Sequence, residues 1–358
     1  MKSEKNISNF YSAINKSGLG SVLRMFGEFK SSQYDMRKAS RIVSPNLRYL
    51  IEIFVLGEKF DPKKLEKILG MKIMRELKKF ELVAPEGKSH YRLTCKLSAF
   101  SEGYFFMPND RIVTSFAYFS KEALALDLRQ KEGAENILVM FSAFGLEAVL
   151  AKLNNQNAKI TCHCFHCYSK LLDFNLLLNS TPAKIIDSFE TLGTEKFDMI
   201  VSTPPYVPEV EPVPVFDYNF GQDGMNGLRE SLSVASMVLQ GNGKLFLVGG
   251  YNGMLSSYES GLKKIIASNG LEGNVFLTSK YDFSNGVGAS VFNMAMLFLA
   301  EVRNKKEFKK LAKETLLFSK RHGFDSTVLF FATLERKKKD GHLALFDFSD
   351  DYLANWLL

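Results

Sequence analysis

Cysteine is scarce in this sequence, with four in 358 residues. Three of them crowd into positions 162–167, which is no basis for a disulfide framework and points to a reducing compartment. Long apolar runs are missing too. The longest, such as Met294–Ala300, fall well short of the roughly 20 residues that a membrane-spanning helix needs. The opening MKSEKNISNF has charges with no apolar run behind them, so no secretory signal is expected. No internal repeat or low-complexity tether interrupts the chain, and the proline-rich PPYVPEVEPVPV at 204–215 reads as a loop. The expectation is a soluble cytoplasmic protein with no membrane partner.

What is present is ordinary globular composition, 46% hydrophobic and 24% charged, in a chain long enough for two domains. The net charge of +7 suits a nucleic-acid partner met through a basic surface. It equally suits a lysine-rich solvated face, because the runs at 63–64, 78–79 and 337–339 lie scattered among acids.

Residues 1–115 read as a helical domain. Phe10, Ile14, Leu19, Val22, Leu23 and Phe26 have helical spacing. Ser44 before Pro45, with Gly57 as stop, and Asp61 before Pro62, with Gly70 as stop, are two cap-and-stop signatures. A third helix follows over MKIMRELKKFELV, and Tyr91, Leu93, Cys95 and Leu97 alternate as on one half-buried strand. Helices followed by strands in this order predict a winged-helix-like module, used for DNA, for substrate recognition or for packing.

From 118 to 302 apolar strands alternate with helices: ENILVMF, GLEAVLAKLN, AKITCHCF, CYSKLLDFNLLLN, AKIID, FDMIVS, NGLRESLSVASMVL and GKLFLVGG. This alternation predicts an α/β fold, a parallel sheet covered by helices, with ligands at the carboxyl ends of the strands. NMAMLFLAEV and STVLFFATLER are late strand candidates, and residues 303–358 form an extension that completes or covers the sheet.

FDMIVSTPPYVP at 197–208, GQDGMNGLRESL downstream and GKLFLVGG after it resemble the class I S-adenosylmethionine-dependent methyltransferases. More narrowly, they are similar to the "small domain" group that includes the glutamine-N5 methyltransferases of release factors. The resemblance covers about 135–250 and implies a Rossmann-like class I methyltransferase sheet. It implies S-adenosyl-L-methionine as cofactor and a nitrogen acceptor, an amide or amine of a protein, nucleic acid or small molecule. By resemblance Thr203, Pro204, Pro205 and Tyr206 stand at the reacting centre. The family has asparagine or aspartate where this chain has Thr203, which can accept through its hydroxyl but lacks a planar amide's paired donor and acceptor. PPY is also ordinary turn chemistry, so the motif rests on its flanks.

The resemblance further assigns cofactor contacts to Ser142, Gly145, Cys164, Asp187 and Phe189. Here the family pattern is broken. Val139 stands where an acid belongs, Phe141 and Ala143 take two glycine positions, and Cys164 takes the place of the ribose-binding acid. Two lost charge-assisted hydrogen bonds cost on the order of 1.5–3 kcal/mol each, enough to weaken cofactor binding a hundredfold or more. Glu147 is expected to face solvent from the following helix. These departures keep open a second reading, a catalytically silent member that binds a partner, and a third, an enzyme with another ligand in the same place. The cluster Cys162, His163, Cys164, His166 and Cys167 has zinc-capable side chains without a second knuckle, so no metal is assigned. Its alternatives are a buried Cys162 with His163 on the opposite face, or contacts to an altered ligand.

Overall fold

In the computed structural model of the chain, the described residues are 2–28, 37–38, 40–100, 103–108, 133–206, 221–283, 313, 316–338 and 341–349. The chain divides into two compact units. The first is Met1–Thr114 with Ala143–Val149 and Tyr168–Ala183; the second is Ser115–Ser142 with Leu150–Cys167 and Lys184–Leu358.

The first unit opens with α1 (Lys2–Lys16) and α2 (Leu19–Glu28), separated at Gly18, whose φ of 80° ends the first helix. Ile7, Phe10 and Ile14 make the fully buried stripe of α1. Both cap signatures form as the sequence implies. The Ser44 hydroxyl accepts from the Leu47 N–H at the start of α3 (Pro45–Phe54), and the Asp61 carboxylate accepts from Lys63 at the start of α4 (Pro62–Leu69). Gly70 closes α4 at φ 67°, and α5 (Met74–Lys79) follows. The single strand expected over Tyr91–Leu97 is instead two. β1 (Val83–Glu86) pairs with β2 (His90–Leu93), and β3 (Cys95–Phe100) pairs with β4 (Gly103–Pro108). The break is at Thr94, whose N–H and hydroxyl are drawn to the carbonyls of Leu82 and Glu81, each at 3.0 Å. Phe10, Phe54 and Phe106 are in mutual ring contact, and Phe174 packs edge-on against Phe106. Asn175, on α7 (Ser169–Leu178), is fully buried and satisfied by Phe106 N–H, Phe106 C=O and Phe144 C=O.

The second unit is built on an eight-stranded mixed sheet, ordered β12-β10-β11-β9-β8-β5-β6-β7. Its strands are β5 (Asn136–Met140), β6 (Lys159–His163), β7 (Ala183–Ile186), β8 (Phe197–Ser202), β9 (Leu239–Gly253), β10 (Leu271–Asp282), β11 (Ser326–Arg336) and β12 (Leu343–Asp347). β5 runs parallel to β6 and β8, and β8 parallel to β9; β11 then enters antiparallel between β9 and β10. β5 is thus central, and strand order reverses beside it, between β5 and β8. That reversal is the topological switch point at which doubly wound sheets bind ligands. The sheet core is apolar by alternation, as with Leu138 and Met140 on β5 and Leu245 and Leu247 on β9, packed with Leu228 and Leu232 of α8 (Asn226–Val238) and Ile266 of α9 (Tyr258–Ser268). Ser326–Arg336 is the late strand expected there. β10 is not among the sequence expectations, because Gly273 interrupts its apolar pattern. NMAMLFLAEV and the apolar close YLANWLL lie outside the described residues. Among the described residues no helix is long and apolar enough to cross a membrane.

Candidate functional site at the switch point

On one side of the switch point β8 runs into Thr203–Tyr206, and each proline and aromatic position is fixed by glycines opposite. Pro204 is buried; a Cβ on Gly227 of α8 would stand 2.9 Å from its Cβ and 2.9 Å from the Pro205 carbonyl oxygen. A Cβ on Gly250 of β9 would come within 2.5 Å of the Tyr206 ring. The loop is therefore held by close approaches only glycine permits. Asn252, near the end of β9, fastens it from behind. Its amide donates to the Tyr206 carbonyl at 2.7 Å and to the Asp223 carbonyl at 2.8 Å, and its side-chain carbonyl accepts from Thr327 Oγ1 at 2.6 Å. Asp223 in turn accepts from the Met225 N–H and forms an ion pair with Arg229. Burial raises the Asp223 pKa, but the hydrogen bonds from Arg229 and Met225 outweigh it and hold the carboxyl below its usual range. At the root of the loop Ser202 Oγ and Ser231 Oγ lie 2.8 Å apart, both fully buried. Thr203 and Tyr206 are half-buried, and burial pushes the phenol above its ordinary pKa, with the Tyr281 charge adding to it.

On the other side the carboxyl ends of β5, β6 and β7 hold a different material. Val139 is paired across to Cys162 and Val201, and all three are fully buried. The turn after β5 keeps left-handed backbone at Phe141, φ 58°, and at Gly145, φ 85°. A phenylalanine in that conformation bears a local cost of order 1–2 kcal/mol, in a backbone geometry that favours glycine. Gly145 lies in the segment grouped with the first unit, where a Cβ would come 2.9 Å from Leu172 Cδ1. Glu147, expected in solvent, is instead buried at 8% exposure, because α6 (Leu146–Asn154) turns that face inward.

β6 ends at His163, and its ring lies in an aromatic box. Its centroid is 4.0 Å from Phe189, 5.3 Å from Phe141 and 6.1 Å from Phe165. The Ser142 N–H donates to the His163 carbonyl at 2.9 Å, which ties the turn after β5 to the end of β6. Burial lowers the imidazole pKa to about 4, against a backbone hydrogen bond and the carboxylate charge of Asp187. Cys164 is buried and its thiol donates to the Phe165 carbonyl at 3.3 Å. Asp187 is exposed and Phe189 half-buried. His166 is exposed, and among the described residues no group of three His, Cys, Asp or Glu side chains could hold a metal.

The structure thus gathers Thr203–Tyr206 at one place, and Ser142, Cys164, Asp187 and Phe189 around the neighbouring strand ends. Sequence reasoning missed Asn252, whose one signal is a polar residue just past an apolar strand and a glycine pair. For His163 it left open packing on the covered face or contact with an altered ligand, without seeing the aromatic box. The residues fit a nucleoside-bearing cofactor at one point. Ser142 Oγ, fully buried, and His163 Nδ1, on a residue 6% exposed, have no hydrogen-bond partner. A bound group that supplies those bonds would remove two orphans at once.

No protein-family model matches the chain, and no curated protein matches it. The solved structures it resembles are class I S-adenosylmethionine-dependent methyltransferases. Trm5b from Pyrococcus abyssi is 14% identical, with 70% of this chain and 62% of that chain covered and a TM-score of 0.38. TYW2 from M. jannaschii, in complex with AdoMet, is 12% identical over 70% of this chain and 89% of that one, with a TM-score of 0.39. An O-methyltransferase of a Brevibacillus brevis trans-AT PKS multienzyme, in complex with S-adenosyl-L-homocysteine, is 13% identical over 63% and 76%, at 0.36. The chain spans less than two thirds of the Trm5b chain. Likenesses at this level carry no argument about substrate or activity.

Proposed function

We propose that this protein is an S-adenosylmethionine-dependent methyltransferase directed at a nitrogen, the amide or amine of a protein, nucleic acid or small molecule. The observation that carries the reading is the Thr203–Tyr206 loop, clamped by Gly227, Gly250 and Asn252 at the switch point. A loop fixed this firmly can orient an acceptor nitrogen, and in-line methyl transfer depends on positioning more than on a strong base. Thr203 would accept a hydrogen bond from the nitrogen, and Tyr206 would pack against its planar neighbours. S-adenosylmethionine, when bound, supplies the electrophilic methyl. Ser142, Asp187 and Phe189 would hold its nucleoside, with Gly145 and Cys164 nearby in sequence. The narrower kinship with glutamine-N5 methyltransferases belongs to this reading through TPPY and DGMNGL. So do a winged-helix use of the helices and hairpin within 1–115, a methyltransferase domain over 118–302, an extension over 303–358, and a cytoplasmic setting.

The second reading, a silent methyltransferase-fold protein acting through a partner, is favoured by Val139 and Cys164, where no carboxylate faces the ligand. Titration of the purified chain with S-adenosylmethionine and S-adenosylhomocysteine separates the two. Micromolar binding is expected; no heat at hundreds of micromolar ligand would leave the silent reading standing. Thr203→Ala should then spare binding and slow transfer, and full turnover in that variant would remove the threonine from the chemistry.

A further inference from the structure

Four buried side-chain polar atoms among the described residues have no hydrogen-bond partner: Arg24 Nε, Ser142 Oγ, His163 Nδ1 and Glu272 Oε2. Arg24 and Glu272 belong to separate elements, α2 and β10. Ser142 and His163 do not stand apart in this way. Their main chains are hydrogen-bonded to each other, at the carboxyl ends of β5 and β6 and beside the switch point. An unpaired buried polar atom costs on the order of 1–3 kcal/mol, so two at adjacent strand ends call for an explanation that either alone would not.

The surroundings say what could satisfy them. Burial keeps the imidazole neutral, so one ring nitrogen carries the proton and the other accepts. In the tautomer protonated at Nε2 the unpartnered Nδ1 is the acceptor, and Ser142 Oγ can donate or accept. Phe141, Phe165 and Phe189 wall the imidazole, and of these Phe165 and Phe189 are only partly buried. No carboxylate takes part from the end of β6, because Cys164 stands there and its thiol is committed to the Phe165 carbonyl.

We infer that Ser142 Oγ and His163 Nδ1 form the polar half of a binding site for a planar nitrogen heteroaromatic ring that carries an N–H donor, with the phenylalanines as its apolar half. This rests on the methyl-donor reading above and deepens it. The nucleoside is read through its base, by stacking and by an amine donating to Nδ1. It is not read through its ribose hydroxyls. The consequence is a specificity that a ribose-directed carboxylate would not give: tolerance of a missing 2′-hydroxyl and intolerance of a missing exocyclic amine.

The test uses the full chain and calorimetric titration with three probes: S-adenosylhomocysteine, its 2′-deoxy analogue and its analogue lacking the 6-amino group. Wild type is expected to bind the first two within about threefold of each other and the third about tenfold more weakly, the worth of one hydrogen bond. His163→Phe keeps the ring contacts and removes the acceptor. It should lose about tenfold for S-adenosylhomocysteine, level the difference between the amino and deamino probes, and melt no lower than wild type in the absence of ligand. Ser142→Ala should weaken the first two probes alike and serves if His163→Phe fails to fold. Unchanged affinity in both variants would mean that water fills the orphans, and the inference falls. A tenfold loss with the 2′-deoxy probe overturns it as well, by showing ribose readout. No binding of any probe by wild type is a separate result, which removes the methyl-donor reading itself.

Discussion

The two sides of the switch point are made of opposite materials. After β8, the Thr203–Tyr206 loop is held by glycines that leave room and by Asn252, whose three side-chain hydrogen bonds reach three different segments. After β5 and β6, positions that the family resemblance assigns to acids and glycines are filled with Val139, Phe141, Ala143 and Cys164, all but Ala143 buried. One side preserves a shape through polar satisfaction and close backbone approach. The other has a backbone path with φ positive at Phe141, and its side chains are apolar and aromatic. Conformation and chemistry are therefore separable at a site: a left-handed turn is held at Phe141 as it is at Gly145, among very different side chains.

Placing an acid on the apolar side should produce the largest effect. Val139 lies in a fully buried row with Cys162 and Val201, so Val139→Asp places a carboxylate where nothing offers it a partner. The expected loss is about 4 kcal/mol or more of unfolding free energy, read from the urea midpoint. A loss below about 1 kcal/mol would mean that a polar space still opens beside β5, and the contrast between the two sides would weaken.

The intact side is probed by Asn252→Ala. It strands the carbonyls of Tyr206 and Asp223 and the Thr327 hydroxyl in one step. Roughly 3 kcal/mol of stability should go, together with faster proteolysis near Tyr206. Stability retained with an unchanged digestion pattern would show that the glycine contacts alone hold the loop.

Much of this contrast was legible in the sequence, and unevenly so. Local signals were read correctly: the Ser44 and Asp61 caps, the Gly70 stop and the β5 to β9 alternation depend on neighbours within a few residues. The eight-strand order with β11 inserted antiparallel was not legible, because it depends on pairings such as Leu245 with Leu334, 89 positions apart. Glu147 was misread for a related reason. Helical position gave its height on α6 but not which face would be covered. The sequence leaves His163 open between packing and a ligand contact; what marks it is Phe141 and Phe189, which reach it from two other segments, beside Phe165 two residues on. Thr94 shows the same limit at small scale, since the alternation through Leu97 is perfect and the break is made by carbonyls at positions 81 and 82.

The smallest predicted effect concerns how far the aromatic side has committed to a neutral histidine. Burial holds the folded His163 pKa near 4, while the unfolded chain titrates near its ordinary 6.5. Above pH 6.5 both states are neutral and stability is indifferent to pH through this group. As pH falls below 6.5 the unfolded state takes up the proton first, so the native state loses ground at about 1.4 kcal/mol per unit until the folded ring titrates as well. Between pH 6.5 and 5 the loss should reach roughly 2 kcal/mol. Carboxylates elsewhere contribute to the same limb, so the measurement is the difference between wild type and His163→Phe in urea midpoints across that range. The exposed Asp187 carboxylate opposes the shift, and added salt should screen it and steepen the limb slightly. Superimposable limbs in the two proteins would show that the imidazole is solvated in the folded state, and the two sides of the switch point would then differ less in polarity than their side chains suggest.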